Sequence, residues 1–384
     1  MNKKVIISIS IVIFLFFVAG VVFYIDQSRN RTNVPKPTIS QSPTVSLSQQ
    51  APLREVVAEN LAVPWDITFL PDGDILFTER SGNVKRLFLS SDLRIETIGT
   101  IENVREISES GLHGIALHPE FSNNHYVYLY YTYGSGAGNT QNRVSRFIYQ
   151  NGRLSNETII IDNIPGAPNH DGGRIRFGPD NYLYITTGDA QEPSLAQDTN
   201  SLAGKILRVT DEGEPAPENP FGNMTYSYGH RNPQGITWDE TGNLWETEHG
   251  PSGLGTNCCR DEINIIQPGQ NYGWPEITGD ETELGMISPL LQSGPNTIWA
   301  PAGTVYKNGS LFFAGLRGEA LYEARLNGTD VEEIIPHFKD ELGRIRAVTL
   351  GPDGLLYVST SNRDGRGNPK TGDDKIIRIN PNKL

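Results

Sequence analysis

Phe69-Leu-Pro-Asp-Gly-Asp-Ile-Leu-Phe-Thr-Glu79 places a Pro-Asp-Gly turn between two short apolar segments. This is hairpin chemistry: proline presets φ at one corner, and aspartate and glycine tolerate the conformations of the next. The pattern returns as Leu117-His-Pro-Glu-Phe with Tyr126-Val-Tyr-Leu-Tyr130, and as Phe177-Gly-Pro-Asp-Asn-Tyr-Leu-Tyr-Ile-Thr186. Trp238-Asp-Glu-Thr-Gly-Asn-Leu-Trp245 is a fourth copy, and Val305-Tyr-Lys-Asn-Gly-Ser-Leu-Phe-Phe313 a looser fifth. Leu350-Gly-Pro-Asp-Gly-Leu-Leu-Tyr-Val-Ser359 is the last.

The copies lie roughly 45 to 70 residues apart. That interval suits a four-stranded blade of about 40–50 residues with loop insertions. No stretch after residue 50 carries a long apolar stripe at helical period, and a β-sandwich would need no repeat. The reading is an all-β fold, a six-bladed β-propeller over residues 51–384. Closing such a ring removes exposed sheet edges, so a strand near residues 53–59 is expected beside residues 376–379.

Upstream, Lys3 and Lys4 precede an apolar run from Val5 to Ile25. A helix of that length reaches about 30 Å, the thickness of a hydrocarbon core. The run closes on bulky Phe23-Tyr24-Ile25 rather than small residues, which favours an uncleaved transmembrane helix over a cleaved signal. Residues 1–26 are therefore expected to anchor the chain in a membrane. The preceding lysines would leave the main domain extracytoplasmic. Residues 27–50, rich in Ser, Thr, Pro and Gln, read as a flexible linker. Sequons at Asn30, Asn156, Asn223, Asn308 and Asn327 fit an exported surface. A net charge of −13 argues against nucleic acid as a partner, since phosphate binding needs a dense basic face.

Cys258 and Cys259 are adjacent and are the chain's only cysteines. They exclude a disulfide framework, a four-thiolate zinc site and a haem-attachment motif. Either they are two thiols or they close a strained ring.

Four polar loops could carry chemistry. In Asn169-His170-Asp171-Gly172-Gly173-Arg174, His170 is of the side-chain type best suited to a general base, although a lone histidine is more often a surface or capping residue. Asp189, after Thr187-Gly188, could orient that imidazole or be a simple turn residue. Tyr228-Gly-His230-Arg231-Asn232-Pro-Gln234-Gly235 gathers a cation, amides and a histidine in eight residues. In Glu248-His249-Gly250-Pro251, outward carbonyls could ligate calcium. Arg344 and Arg346 occupy one face of a strand, with Arg317 in the preceding blade. Such neighbouring cations need either nearby carboxylates or a polycarboxylate ligand.

Taken in order, these segments resemble the soluble glucose and aldose sugar dehydrogenases that use pyrroloquinoline quinone (PQQ), the glucose/sorbosone dehydrogenase family. The resemblance spans about Leu61 to Ile379. Besides the loops above, it rests on Val63-Pro-Trp-Asp66, Gly111-Leu-His-Gly-Ile-Ala116, Asp261-Glu-Ile-Asn264, Asn271-Tyr-Gly-Trp-Pro275 and Gly343-Arg-Ile-Arg-Ala-Val348. It implies PQQ and calcium (Ca2+) as cofactors, an aldose as substrate, C1 oxidation to a lactone, and electrons passed to an external acceptor. His170 matches the base, Asp189 its orienting carboxylate, and Arg231 the cation beside the quinone oxygens. Asn232, His249, Arg317, Arg344 and Arg346 match cofactor-facing positions, and the Gly250 and Pro251 carbonyls match calcium ligands. Arg317 stands where the glucose enzymes have lysine, and His249 where some members have glutamine. Ser110 is expected at a substrate-side position often held by glutamine. A disulfide between Cys258 and Cys259 is expected by analogy with larger PQQ enzymes. Two other propeller functions compete: a calcium-dependent lactonase, which lacks a recognisable metal cage here, and a non-catalytic sugar- or protein-binding propeller.

Overall fold

The structure, a computed structural model, describes residues 51–134, 140–251 and 258–384. The expected anchor and linker, residues 1–50, lie outside the described residues. Among the described residues no helix is long and apolar enough to cross a membrane.

The described chain forms six four-stranded antiparallel sheets. Blade 1 is β2 (Pro64–Phe69), β3 (Ile75–Glu79), β4 (Asn83–Leu87) and β5 (Ile95–Thr100). Blade 2 is β6 (Leu112–Leu117), β7 (Tyr126–Tyr133), β8 (Gln141–Gln150) and β9 (Arg153–Pro165). Blade 3 is β10 (Ile175–Phe177), β11 (Leu183–Thr187), β12 (Lys205–Val209) and β13 (Thr225–Tyr228). Blade 4 is β14 (Pro233–Trp238), β15 (Leu244–Glu248), β16 (Glu262–Ile266) and β17 (Leu291–Gln292). Blade 5 is β18 (Pro301–Lys307), β19 (Ser310–Gly315), β20 (Ala320–Asn327) and β21 (Asp330–His337). Blade 6 is β22 (Ile345–Leu350), β23 (Leu356–Thr360) and β24 (Ile376–Ile379), completed by β1 (Arg54–Ala58).

The first strand of each blade packs on the first strand of the next, and β22 returns to β2, so the ring closes. The expected closure is present: Arg54 pairs with Ile379, Val56 with Ile377 and Ala58 with Ile376. Each of the six repeats is the turn joining a blade's first strand to its second. The aspartate in three of them also accepts a hydrogen bond from the aromatic residue that follows. Tyr184 donates to Asp180 at 3.0 Å, Trp245 Nε1 to Asp239 at 2.9 Å and Tyr357 to Asp353 at 2.9 Å.

The core is not central. It is divided among six apolar clusters, one between each pair of neighbouring blades. Both faces of a blade are therefore covered, which is why the second strands β3, β11, β15 and β23 are buried along their whole length. Simple alternation of buried and exposed positions, the sequence expectation for a half-solvated sheet, does not describe them.

Candidate active site

Antiparallel strands alternate in direction, so the loops before first strands and those between second and third strands share one face of the ring. His170 precedes β10, Asp189 follows β11, Arg231 and Asn232 precede β14, and His249, Gly250 and Pro251 follow β15. Arg344 precedes β22, whereas Arg346 lies within it. Arg317 sits between β19 and β20, on the same face.

These loops surround a cavity of about 430 Å³ lined by His170, Arg231, His249, Arg317 and Arg344, with Glu109, Asn169 and Arg366. Ala300 and Leu316 supply its apolar wall. Asp189, Asn232, Arg346, Gly250 and Pro251 are not among its lining residues.

The proton on His170 can be placed from its partners. Arg231 Nη2 lies 2.9 Å from His170 Nε2. Guanidinium only donates, so Nε2 must accept, and the proton is on Nδ1, donating to Asp189 Oδ1 at 2.8 Å. Asp189 is fully buried, and its other oxygen accepts from Trp274 Nε1 at 2.8 Å. The Arg231 guanidinium lies over the Trp274 ring, 5.4 Å from its centroid. This arrangement needs two unusual backbone features. His170 has φ +65°, a left-handed conformation that costs energy for a non-glycine residue and recurs at functional sites. Gly188 permits the approach: a Cβ there would fall 1.9 Å from the His170 carbonyl oxygen.

Arg231 is fixed from behind by Glu248, which accepts from its backbone N–H at 3.0 Å. Its Nη1 donates to the His249 carbonyl at 3.1 Å, and its Nε has no partner although buried. Burial lowers the Arg231 pKa against the opposing charge of Asp189. Burial also holds His249 neutral, down to about 3, and its Nε2 is unpartnered too. Among the described residues the Arg317 guanidinium has no polar partner.

Arg344 and Arg346 do have a nearby carboxylate. Asp364 accepts from Arg344 Nε at 2.9 Å and lies 3.8 Å from Arg346 Nη2. Arg344 reaches the cavity, whereas Arg346 donates to Gln234 at 3.2 Å deeper in the ring. Burial moves the Arg346 pKa down to about 9, with Asp364 opposing. Asn232 accepts from the Gly172 N–H at 3.0 Å and so braces the histidine loop.

Cys258 and Cys259 are joined, with S–S 2.07 Å. The Cys259 N–H donates to the Pro251 carbonyl at 3.0 Å, and the Gly250 N–H to Asp261 at 3.0 Å. The Cys259 backbone and Asp261 thus hold the turn whose carbonyls matched calcium ligands. Separately, buried His230, Glu246 and Glu248 bring potential ligand atoms within 4.8 Å of one another.

The structure adds residues that sequence reading did not assign. The substrate-side expectation at Ser110 is displaced by one position: its hydroxyl donates to the Ala167 carbonyl at 2.7 Å, whereas Glu109 lines the cavity. A turn places consecutive side chains on different sides, so a one-residue shift in matching changes which one faces the site. Trp274 belonged to a matched motif without a role. Glu248 likewise belonged to a matched loop without a role, whereas Asp364 and Arg366 lie in a loop that carries no local signal.

Comparison with known proteins shows the family. The family model described as Glucose / Sorbosone dehydrogenase matches residues 61–377. The aldose sugar dehydrogenase YliI of Escherichia coli is 32% identical, with 81% of this chain and 90% of that one covered. Quinoprotein glucose dehydrogenase B of Acinetobacter calcoaceticus is 30% identical, with 86% and 90% covered. The PQQ-bound aldose sugar dehydrogenase of Streptomyces coelicolor superposes with TM-score 0.78 at 40% identity, covering 84% of this chain and 96% of that one. The chain belongs to the glucose/sorbosone dehydrogenase family and is an oxidoreductase of its quinoprotein aldose sugar dehydrogenase type.

Proposed function

We propose that this chain oxidises aldoses at C1 to lactones with PQQ and calcium, and passes the electrons to a separate external acceptor. The observation that carries the reading is an imidazole whose Nε2 is kept unprotonated in a cavity rich in arginine. The residues fit an anionic, flat cofactor: Arg231, Arg317 and Arg344 line the cavity apart from the mutually paired Arg366 and Glu109, beside an apolar wall and the buried, unpartnered Arg231 Nε and His249 Nε2. Arg231, Arg317 and Arg344 would hold its negative oxygens, with Arg346 and Asn232 supporting from behind. The Gly250 and Pro251 carbonyls would contribute two ligands to calcium. A calcium ion takes six to eight oxygens, so cofactor oxygens or water have to complete the set. PQQ, when bound, supplies the two-electron acceptor for the hydride leaving C1.

The chain's own residues account for the proton. His170 Nε2 takes it from the anomeric hydroxyl as the C1–O bond becomes a carbonyl, giving the lactone. Asp189 stabilises the resulting imidazolium through Nδ1 and fixes the ring's orientation, itself held by Trp274. Arg231 faces the developing negative charge, where a preorganised donor acts most strongly. The aldose has to displace the Arg231–His170 contact to reach Nε2.

We propose further that residues 1–26 anchor the enzyme in a membrane with the propeller extracytoplasmic, on the length and flanking charge of the apolar run. Reconstitution tests the main reading. Adding PQQ and calcium should produce a bound-quinone spectrum, and aldoses should then reduce a dye with lactone as product. Absence of both would overturn it.

A further inference from the structure

Part of the cavity lining is built by a contact among three loops. Glu109 precedes β6, Asn169 precedes β10 and Arg366 lies between β23 and β24. Arg366 Nη1 is ion-paired with Glu109, and its Nη2 donates to Asn169 Oδ1 at 2.7 Å and Ser108 Oγ at 3.0 Å. The ring does not depend on this contact, because β1 already closes blade 6. A pair whose arginine is 45% exposed also adds little stability. Both charged groups nevertheless line the cavity that holds His170.

We infer that Glu109 and Arg366 form a charge-balanced clamp for the sugar and make this enzyme selective for uncharged aldoses. This rests on the proposed activity. Arginine has five N–H donors, of which the three contacts above use three. With the lone pairs of Glu109, the clamp offers both donors and acceptors to sugar hydroxyls. Burial alone would raise the Glu109 carboxyl, but His249 and Arg366 more than offset it and hold it at about 2. Arg366 is the cation paired directly with the Glu109 carboxylate. A sugar bearing a carboxylate meets Glu109, and one bearing an ammonium meets Arg366; like charges brought together desolvated are costly.

The test uses the enzyme reconstituted with PQQ and calcium, and compares glucose, glucuronate and glucosamine. In Arg366→Gln the kcat/KM of glucosamine relative to glucose should rise about tenfold or more, and in Glu109→Gln that of glucuronate should rise similarly. The double variant should admit both charged sugars without favouring either over the other, and Arg366→Lys should keep the wild-type ranking. PQQ titrations should match wild type throughout. A purely structural role would lower all three sugars together and leave the ratios flat, which would overturn the clamp. Calorimetric binding of the same sugars needs no turnover. If wild type reduces no dye, the proposed activity fails while the binding ranks still decide the clamp.

Discussion

The two faces of the ring are built by different rules. On one face lie the six repeated turns, held by contacts between near neighbours: Asp180 with Tyr184 and Asp353 with Tyr357 are four residues apart. On the other lies the cavity, held by contacts at long range. His170 and Arg231 are 61 residues apart, Asp189 and Trp274 are 85, and Glu109 and Arg366 are 257. The turn face buries apolar strands between blades, whereas the cavity face buries charge: Asp189, Arg231, Glu248, Arg344 and Arg346 all have little solvent exposure. Burying charge is costly unless each group is paired. The cavity face therefore depends on a ring that brings distant loops together.

The most severe test removes that shared ring. Deleting residues 51–60 takes away β1, with buried Val57 and Ala58, and leaves β24 paired on one side only, with β23. We expect loss of cooperative thermal unfolding by circular dichroism together with loss of activity. An undiminished Tm would show that neither face needs closure.

The second test separates the faces. Asparagine tolerates the left-handed conformation seen at His170, so His170→Asn should keep the loop while removing the base. We expect kcat to fall by about 10²–10⁴ with Tm unchanged. A matching fall in Tm would mean that the histidine holds the loop rather than the proton.

These rules also decide what could be read without coordinates. The fold was legible because each blade announces itself in one short stretch, such as Phe177–Thr186, where turn and strands are contiguous. The strand pairing at Arg54 and Ile379 followed from the need to close a ring. Within the site, His170, Asp189 and Arg231 were legible because each lies in a polar loop beside a repeat. Asp364 was not: an aspartate in Asn362-Arg363-Asp364-Gly365 looks like any turn, and only the fold sets it between Arg344 and Arg346. Glu109 and Ser110 show the same limit at finer scale, since sequence located the loop and not which side chain faces inward.

A smaller effect probes the boundary between the faces. His113 is stacked between Trp65 and Tyr130, with centroids at 4.8 and 5.8 Å, beneath the Glu109 carbonyl to which it is bonded. Burial lowers its pKa from 6.5 to about 3. The unfolded chain thus binds a proton there between those values that the native state does not. Its contribution to stability is full above about 6.5 and is lost as pH falls toward 3, roughly 2 kcal/mol by pH 5. His113→Phe keeps the stack and removes the titration, so the acid-side fall in Tm should become shallower. His230 and His249, also lowered to about 3 by burial, should preserve part of it. An unchanged acid slope would mean that His113 is already protonated when folded.

The smallest effect belongs to the turn face. Tyr357→Phe removes the hydroxyl that donates to Asp353 Oδ2, while the Leu355 N–H still holds Oδ1 at 3.1 Å. Losing one such bond should cost about 1 kcal/mol of stability. Because Tyr357 sits in an interblade cluster away from the cavity lining, kcat/KM for an aldose should stay at the wild-type value. Tyr184→Phe in blade 3 should behave alike, as it breaks the equivalent bond to Asp180. A change in kcat/KM without a change in Tm would mean that a local turn bond sets the geometry of the opposite loops. The two faces would then be coupled through the strands, rather than joined only by the closed ring.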